Sequence, residues 1–422
     1  MELNGPGMKK SFLAFNSIFL MLNVLSGAVL GAAFWWVAAR LFASETVGSG
    51  IILISMAQLL TTTAQFGMNF GLIRFLAEAR DKSSLLGTAF TFCLILAAVL
   101  GMLTVLLGPR ISTSLASLNH GLTIAGIFVL LVATLAAYQL SYPVMVALDK
   151  PDDQFLLNLF VLASRIALLA FLARAGSPAA LLSAYVLPML LADLFLVIAY
   201  LPKKVPGFQP VPRIHSAALG QIAGYSIASY FGNILHDFPS LLLPQIVANF
   251  GGLSSASYFY YPWSFFGLIV TVSNSISQSL FVEGSNRLDS FRRNTRKATW
   301  AALGIASAGA LVLYLFCYPI LSIFGPEYAR QGSTILRILC LSSIPASFVY
   351  NRVAVLRVHK NVTAIIFTYG LIVAICLFLL FANPLLHNML WLTLSWLISQ
   401  IIAVPVIASF ANARRFTGQD DG

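Results

Sequence analysis

The sequence predicts an all-α polytopic membrane protein of about twelve transmembrane helices, and three observations predict it. First, the chain is 59% hydrophobic and only 9% charged, with a mean hydropathy of +0.87; about a quarter of the residues in a soluble domain are charged. Second, its apolar runs recur at lengths of about 20 residues or more, enough for a helix to cross a hydrocarbon core of about 30 Å. Third, its basic residues sort into alternate loops.

Uncharged runs bounded by charges, Pro and Gly place the helices in order. Helix 1 (14–38) follows Lys9-Lys10; its apolar run is too long for a signal-peptide core, so it is read as retained. The turn "FASETVGSG" (Phe42–Gly50) opens helix 2 (47–69), which ends in the charged stretch "RFLAEARDK". Helices 3 (85–107), 4 (121–147), 5 (155–174) and 6 (179–201) complete the first half. After "KKVPGFQPVPR" (Lys203–Arg213), rich in Pro and base, come helices 7 (219–249), 8 (254–281), 9 (299–324), 10 (333–353), 11 (362–381) and 12 (389–411).

With the N-terminus inside, the outer segments hold four basic residues (Arg40, Arg110, Arg174, Arg330) and two more lie within spans (Arg165, Arg337), leaving 25 − 4 − 2 = 19 on the cytoplasmic side. That asymmetry predicts both termini in the cytoplasm. The net charge of +11 is then an orientation signal with some attraction to anionic lipid headgroups, and it implies no nucleic acid. Cys93, Cys317, Cys340 and Cys376 all fall inside spans without a C-x-x-C pairing, as small buried apolar residues would.

The two halves repeat one another. "FGGLSSASY" (Phe250–Tyr258) opens helix 8 as "FASETVGSG" opens helix 2, and both of those spans end in a charged cytoplasmic loop. Six helices per half make these parallel repeats, with an N-terminal bundle over 1–207 and a C-terminal bundle over 208–422.

"AARLFASETVGSGIILISMAQLLTTTAQFGMNFGLIRFLAEA" (Ala38–Ala79) resembles the helix 1–2 region of Wzx-type polysaccharide flippases, in which an A-R-L turn precedes a span ending in G-…-R-F. "FGPEYARQGSTILRILCLSSIPASF" (Phe324–Phe348) is similar to that family's helix 9–10 turn. The resemblance implies the multidrug/oligosaccharidyl-lipid/polysaccharide exporter fold: two pseudo-symmetric six-helix bundles facing each other across a central cavity and alternating between inward- and outward-open. It also implies a lipid-linked O-antigen or exopolysaccharide unit as cargo, with polysaccharide assembly proteins as partners.

Independent features point away from an enzyme. No GxxxxGK[ST] phosphate loop is present. The longest loops, around 202–218 and 282–298, are about 17 residues each, and the five histidines (120, 215, 236, 359, 387) lack metal spacing. No cofactor is expected.

Charge inside the bilayer carries the most information, because an ionised side chain at mid-helix costs about 2.5–3.5 kcal/mol and must face protein or water. Arg165 lies about nine residues, roughly 14 Å, below the outer end of helix 5. Asp193 and Asp237 sit about 15 and 12 residues below the outer ends of helices 6 and 7. Arg165 and Asp193 either neutralise each other across the helix 5–6 hairpin or line a polar cavity in which Arg165 meets an anionic substrate. Arg74 and Arg337 are read either as snorkelling cations or as further substrate contacts. Gly27/Gly31 and Gly67/Gly71, each four apart, are read as sites of close helix packing. Trp35-Trp36 and "YFYYPW" (Tyr258–Trp263) are read as an outer aromatic belt, and the prolines within spans as kinks.

The sequence therefore predicts a multi-pass flippase of the bacterial inner membrane that moves a polyprenyl-diphosphate-linked oligosaccharide by alternating access. Arg74, Arg165 and Arg337 are its substrate-binding candidates; Asp193 and Asp237 are its candidate carriers of a coupling H⁺ or Na⁺. The alternative is a MATE-type cation-coupled drug exporter, disfavoured because helices 1 and 2 carry no acid and offer Asn16 and Asn23 instead. A membrane oligosaccharide polymerase is a third reading, opposed by the short outer loops.

Overall fold

Asp81, Ser177, Asn361 and Asn388 each cap a helix with a side-chain oxygen, accepting from the N–H of Ser84, Ala180, Ala364 and Trp391 at 2.8 to 3.3 Å. Such caps let apolar helices start abruptly after short connections. The computed structural model describes residues 6–76, 79, 81–119, 121–286, 288–358, 361–382 and 388–416. Glu78, Arg80, Arg287 and Lys360 of the charged loops and His120, His359 and His387 lie outside these.

Among the described residues every regular element is helical. The helices are α1 (Pro6–Leu41), α2 (Ser44–Gln65), α3 (Met68–Phe75), α4 (Lys82–Ile111), α5 (Leu122–Ala147), α6 (Pro151–Leu172), α7 (Pro178–Leu194), α8 (Leu201–Lys204), α9 (Ser216–Asn286), α10 (Leu288–Leu315), α11 (Cys317–Ser322), α12 (Pro326–Val358), α13 (Val362–Ala382) and α14 (Met389–Phe416). Ten helical spans among the described residues are long and apolar enough to cross a membrane. The 71-residue α9 would be about 107 Å long if straight, far more than a bilayer needs. It is broken at Gly252, whose φ of 81° leaves the helical region, so its two parts stand where the sequence places helices 7 and 8.

The chain forms two compact units, Met1–Tyr230 and Phe231–Gly422. In the first, Met68, Leu72 and Leu76 pack with Leu86, Ala89 and Cys93 of α4 and Leu140 and Val144 of α5. In the second, Phe259, Trp263 and Phe266 pack with Leu339 of α12 and Trp396 of α14. All four cysteines are buried.

Three local readings need correction. Helix 2 is not continuous: Phe66 (φ 48°) and Gly67 (φ 77°) are left-handed and end α2 before α3 begins. Gly67 is thus a turn residue rather than a packing one, since only glycine adopts that φ without strain. At Gly27 and Gly31 no atom of another element comes within 4 Å of where a Cβ would stand, so nothing packs closely there; close approach occurs at Gly50, where a Cβ would stand 2.6 Å from Leu181 Cδ2. Finally, Phe259 and Trp263 are buried in the second core rather than forming a belt, because a 3.6-residue period turns 259, 263 and 266 to one face, and Tyr261 is buried against Phe324 and Tyr328.

Candidate functional site

Arg165 lies on the buried stripe of α6, with Val161, Leu162 and Leu169 at helical spacing on the same face. It is only 7% exposed. Its Nε donates to the Tyr185 carbonyl oxygen at 3.1 Å, and its Nη2 meets the sulfur of Met189. The guanidinium carbon lies 3.6 Å from the centroid of the Tyr185 ring, a cation–π stack. Phe34 of α1 packs edge-on against the same ring at 5.7 Å, so Tyr185 is held from both sides.

Asp193, also 7% exposed, stands one turn beyond Met189 on α7, about 6 Å further along the axis. The arginine reaches Met189 and stops. No ion pair joins Arg165 to Asp193, and neither carboxylate oxygen of Asp193 has a hydrogen-bond partner among the described residues. Direct neutralisation across the hairpin, one of the two readings of the sequence, is therefore not what this conformation holds.

Polar groups of two further helices complete the cluster. Tyr138 of α5 donates to Asn158 Oδ1 of α6 at 3.0 Å, and Asn158 Nδ2 reaches the Asn23 carbonyl of α1 at 3.5 Å. The Asn23 side-chain oxygen is buried without a partner. Immediately after Asp193 and Leu194 the helix widens into a π-turn, Phe195–Tyr200, a distortion frequent at functional sites. Tyr200 ends it by donating to Asp153 at 2.5 Å. Tyr138, Asn158, Tyr185 and the π-turn were not singled out from the sequence. An aromatic or amide residue in an apolar helix carries no charge to mark it, and only the packing of four helices brings these together.

The remaining candidates lie on other helices. Arg74, on α3, is exposed, with its guanidinium 5.7 Å from the Phe75 ring. Within the second unit, Arg337 is exposed on α12, 5.8 Å from the Tyr314 ring. Asp237 is exposed on α9, near enough for its charge to act on Tyr350 and Tyr369. Those two tyrosines, with Pro239, Trp396 and Gln400, line a pocket of about 10 Å³, room for one water. Among the described residues, the Trp396 indole N–H and Gln400 Oε1 there are buried without hydrogen-bond partners.

No family model matches the chain, and no curated protein is similar to it in sequence. Solved structures share its fold. The lipid II flippase MurJ, in an inward closed conformation, aligns with a TM-score of 0.73 at 15% identity over 94% of this chain and 87% of its own. A multidrug resistance MATE family transporter of the MOP superfamily, inward-facing, aligns at 0.68 and 13% identity over 96% and 99%. A MOP superfamily transporter from Pyrococcus furiosus aligns at 0.56 and 15% identity over 96% and 95%.

Proposed function

We propose that this chain, built on the fold of MOP-superfamily transporters, is a flippase of the bacterial inner membrane. Its cargo is a polyprenyl-diphosphate-linked oligosaccharide, moved by alternating access, with both termini cytoplasmic. The fold alone is shared by flippases and drug exporters, so the choice between them rests on charge. The observation that carries it is Arg165: a guanidinium inside the first unit, stacked on Tyr185 and not neutralised by the acid one turn away. A diphosphate headgroup cannot enter hydrocarbon unaided, and an arginine offers it paired, charge-assisted donors. Arg74 and Arg337 serve as outlying contacts for the same headgroup. Asp193, and Asp237 beside its tyrosines, carry the coupling H⁺ or Na⁺, since a carboxylate at that depth needs a proton or cation to offset its charge.

Flipping of a lipid-linked oligosaccharide in proteoliposomes tests the reading. Arg165→Ala should lose at least about 90% of the rate while inserting at normal levels, and Arg165→Lys should retain part of it. Asp193→Asn should flip without responding to an imposed pH or Na⁺ gradient. Restoration of both level and transport by Arg165→Ala/Asp193→Ala would make the pair scaffold and defeat the assignment. Extrusion of a cationic dye instead would favour the drug-exporter reading.

A further inference from the structure

α12 carries an apolar stripe, Leu341, Ile344, Pro345 and Phe348, on one face of the helix. Leu341 and Ile344 are exposed. Together with Leu303 of α10 and Ile401 of α14, that stripe lines a cleft of about 480 Å³ whose walls hold no polar side chain. Pro345 has no N–H to give the Leu341 carbonyl, which loosens the helix on this face. One turn beyond Phe348, the Arg352 guanidinium lies 4.9 Å from the Phe348 ring, so a cation stands next to the Phe348 end of the cleft.

Lengths identify the occupant. α12 runs from 326 to 358, which puts its midpoint at 342. Leu341 is thus at mid-helix, and Arg352, ten residues beyond the midpoint, is about 15 Å from it. Half of a hydrocarbon core of about 30 Å is the same distance. With α12 centred in the bilayer, the cleft runs from the middle of the membrane toward one edge, and Arg352 stands at headgroup level beyond Phe348. A chain spanning one leaflet beneath a phosphate fits that frame; a polyprenyl chain, long enough to run on past Leu341, does not.

We propose that this cleft binds one anionic glycerophospholipid of the surrounding bilayer, an acyl chain lying along Phe348–Leu341 and the phosphate on Arg352. The site is separate from Arg165 and independent of what is transported, so its test uses no transport assay. The full chain, purified and delipidated, would be titrated with phosphatidylglycerol and phosphatidylcholine and the retained lipid counted by native mass spectrometry. Wild type should keep phosphatidylglycerol at least about fivefold better than phosphatidylcholine. Arg352→Gln should lose that preference, Arg352→Lys should keep most of it, and Arg330→Gln, outside the cleft and paired with Glu327, should not change it. Ile344→Trp fills the cleft without touching the charge and should also release the lipid, which keeps the test open if Arg352→Gln fails to accumulate. Equal retention by wild type and Arg352→Gln, equal loss in Arg330→Gln, or displacement of phosphatidylglycerol by equimolar undecaprenyl phosphate would each overturn the proposal.

Discussion

The two units solve the same problem, polar groups inside a membrane helix bundle, in different ways. Among the described residues, the first unit holds both of the buried charged side chains, Arg165 and Asp193. Both units bury hydroxyls and amides, and among the described residues of the second these stand without a buried charge: Ser257, Ser273, Ser343, Ser347, Asn351, Thr299, Thr368 and Gln400. Its hydroxyls mostly turn back on their own helix, as Thr368 does on the Ala364 carbonyl at 2.7 Å and Ser347 on that of Ser343 at 2.7 Å. Others bridge helices, with Ser347 bonded to Ser273 at 2.8 Å and Thr299 to Asn351 Oδ1 at 3.1 Å. Self-satisfied hydroxyls ask nothing of a ligand. Buried charges that do not pair with each other do, and on the proposed function that contrast puts the deep headgroup and ion contacts in the first unit.

Three substitutions test the contrast, taken in order of expected effect. Tyr185→Leu removes the ring beneath the guanidinium and its packing against Phe34, at a cost on the order of 2 kcal/mol. Its melting temperature in detergent should fall and flipping should fall with it, whereas Tyr185→Phe, which keeps ring and backbone carbonyl, should match wild type. Flipping by Tyr185→Leu at the wild-type rate would detach the arginine from function. Asn351→Leu takes the acceptor from Thr299 and should cost about 1–3 kcal/mol in stability, with transport per folded molecule unchanged. Ser347→Ala breaks one interhelical bond and should cost only about 0.6 kcal/mol, the usual worth of such a bond in a membrane bundle. A transport defect in either second-unit variant, at normal stability, would erase the distinction between the units.

What the sequence disclosed follows the same physics. Hydropathy located the spans because each must bury about 20 residues in hydrocarbon regardless of its neighbours. Arg165 and Asp193 were legible for a related reason: a charge in an apolar run is costly enough to need an explanation. Their separation by Met189 was not legible, because a spacing in sequence does not say where a long side chain stops. The break at Phe66–Gly67 escaped notice because hydropathy does not register one left-handed residue. The cluster of Tyr138, Asn158 and Tyr185 escaped because each is ordinary alone. Arg352, counted only as a cytoplasmic charge, acquired meaning once the cleft leading to it was visible.

The π-turn at Phe195–Tyr200 makes the end of α7 a vernier. Each α-helical residue advances the chain by 100° and 1.5 Å, and a π-turn accommodates one residue beyond what an α-turn holds. Upstream of it Asp193 faces the interior; downstream, Tyr200 is pinned to Asp153. Restoring ordinary winding with every residue kept would, with Tyr200 still pinned, swing Asp193 by about 100°, away from the side of the bundle that holds Arg165. Removing one residue along with the π-turn would leave it facing as it does. The orientation of the buried acid is thus set by the residue count of one turn, with no contact of its own required to hold it there.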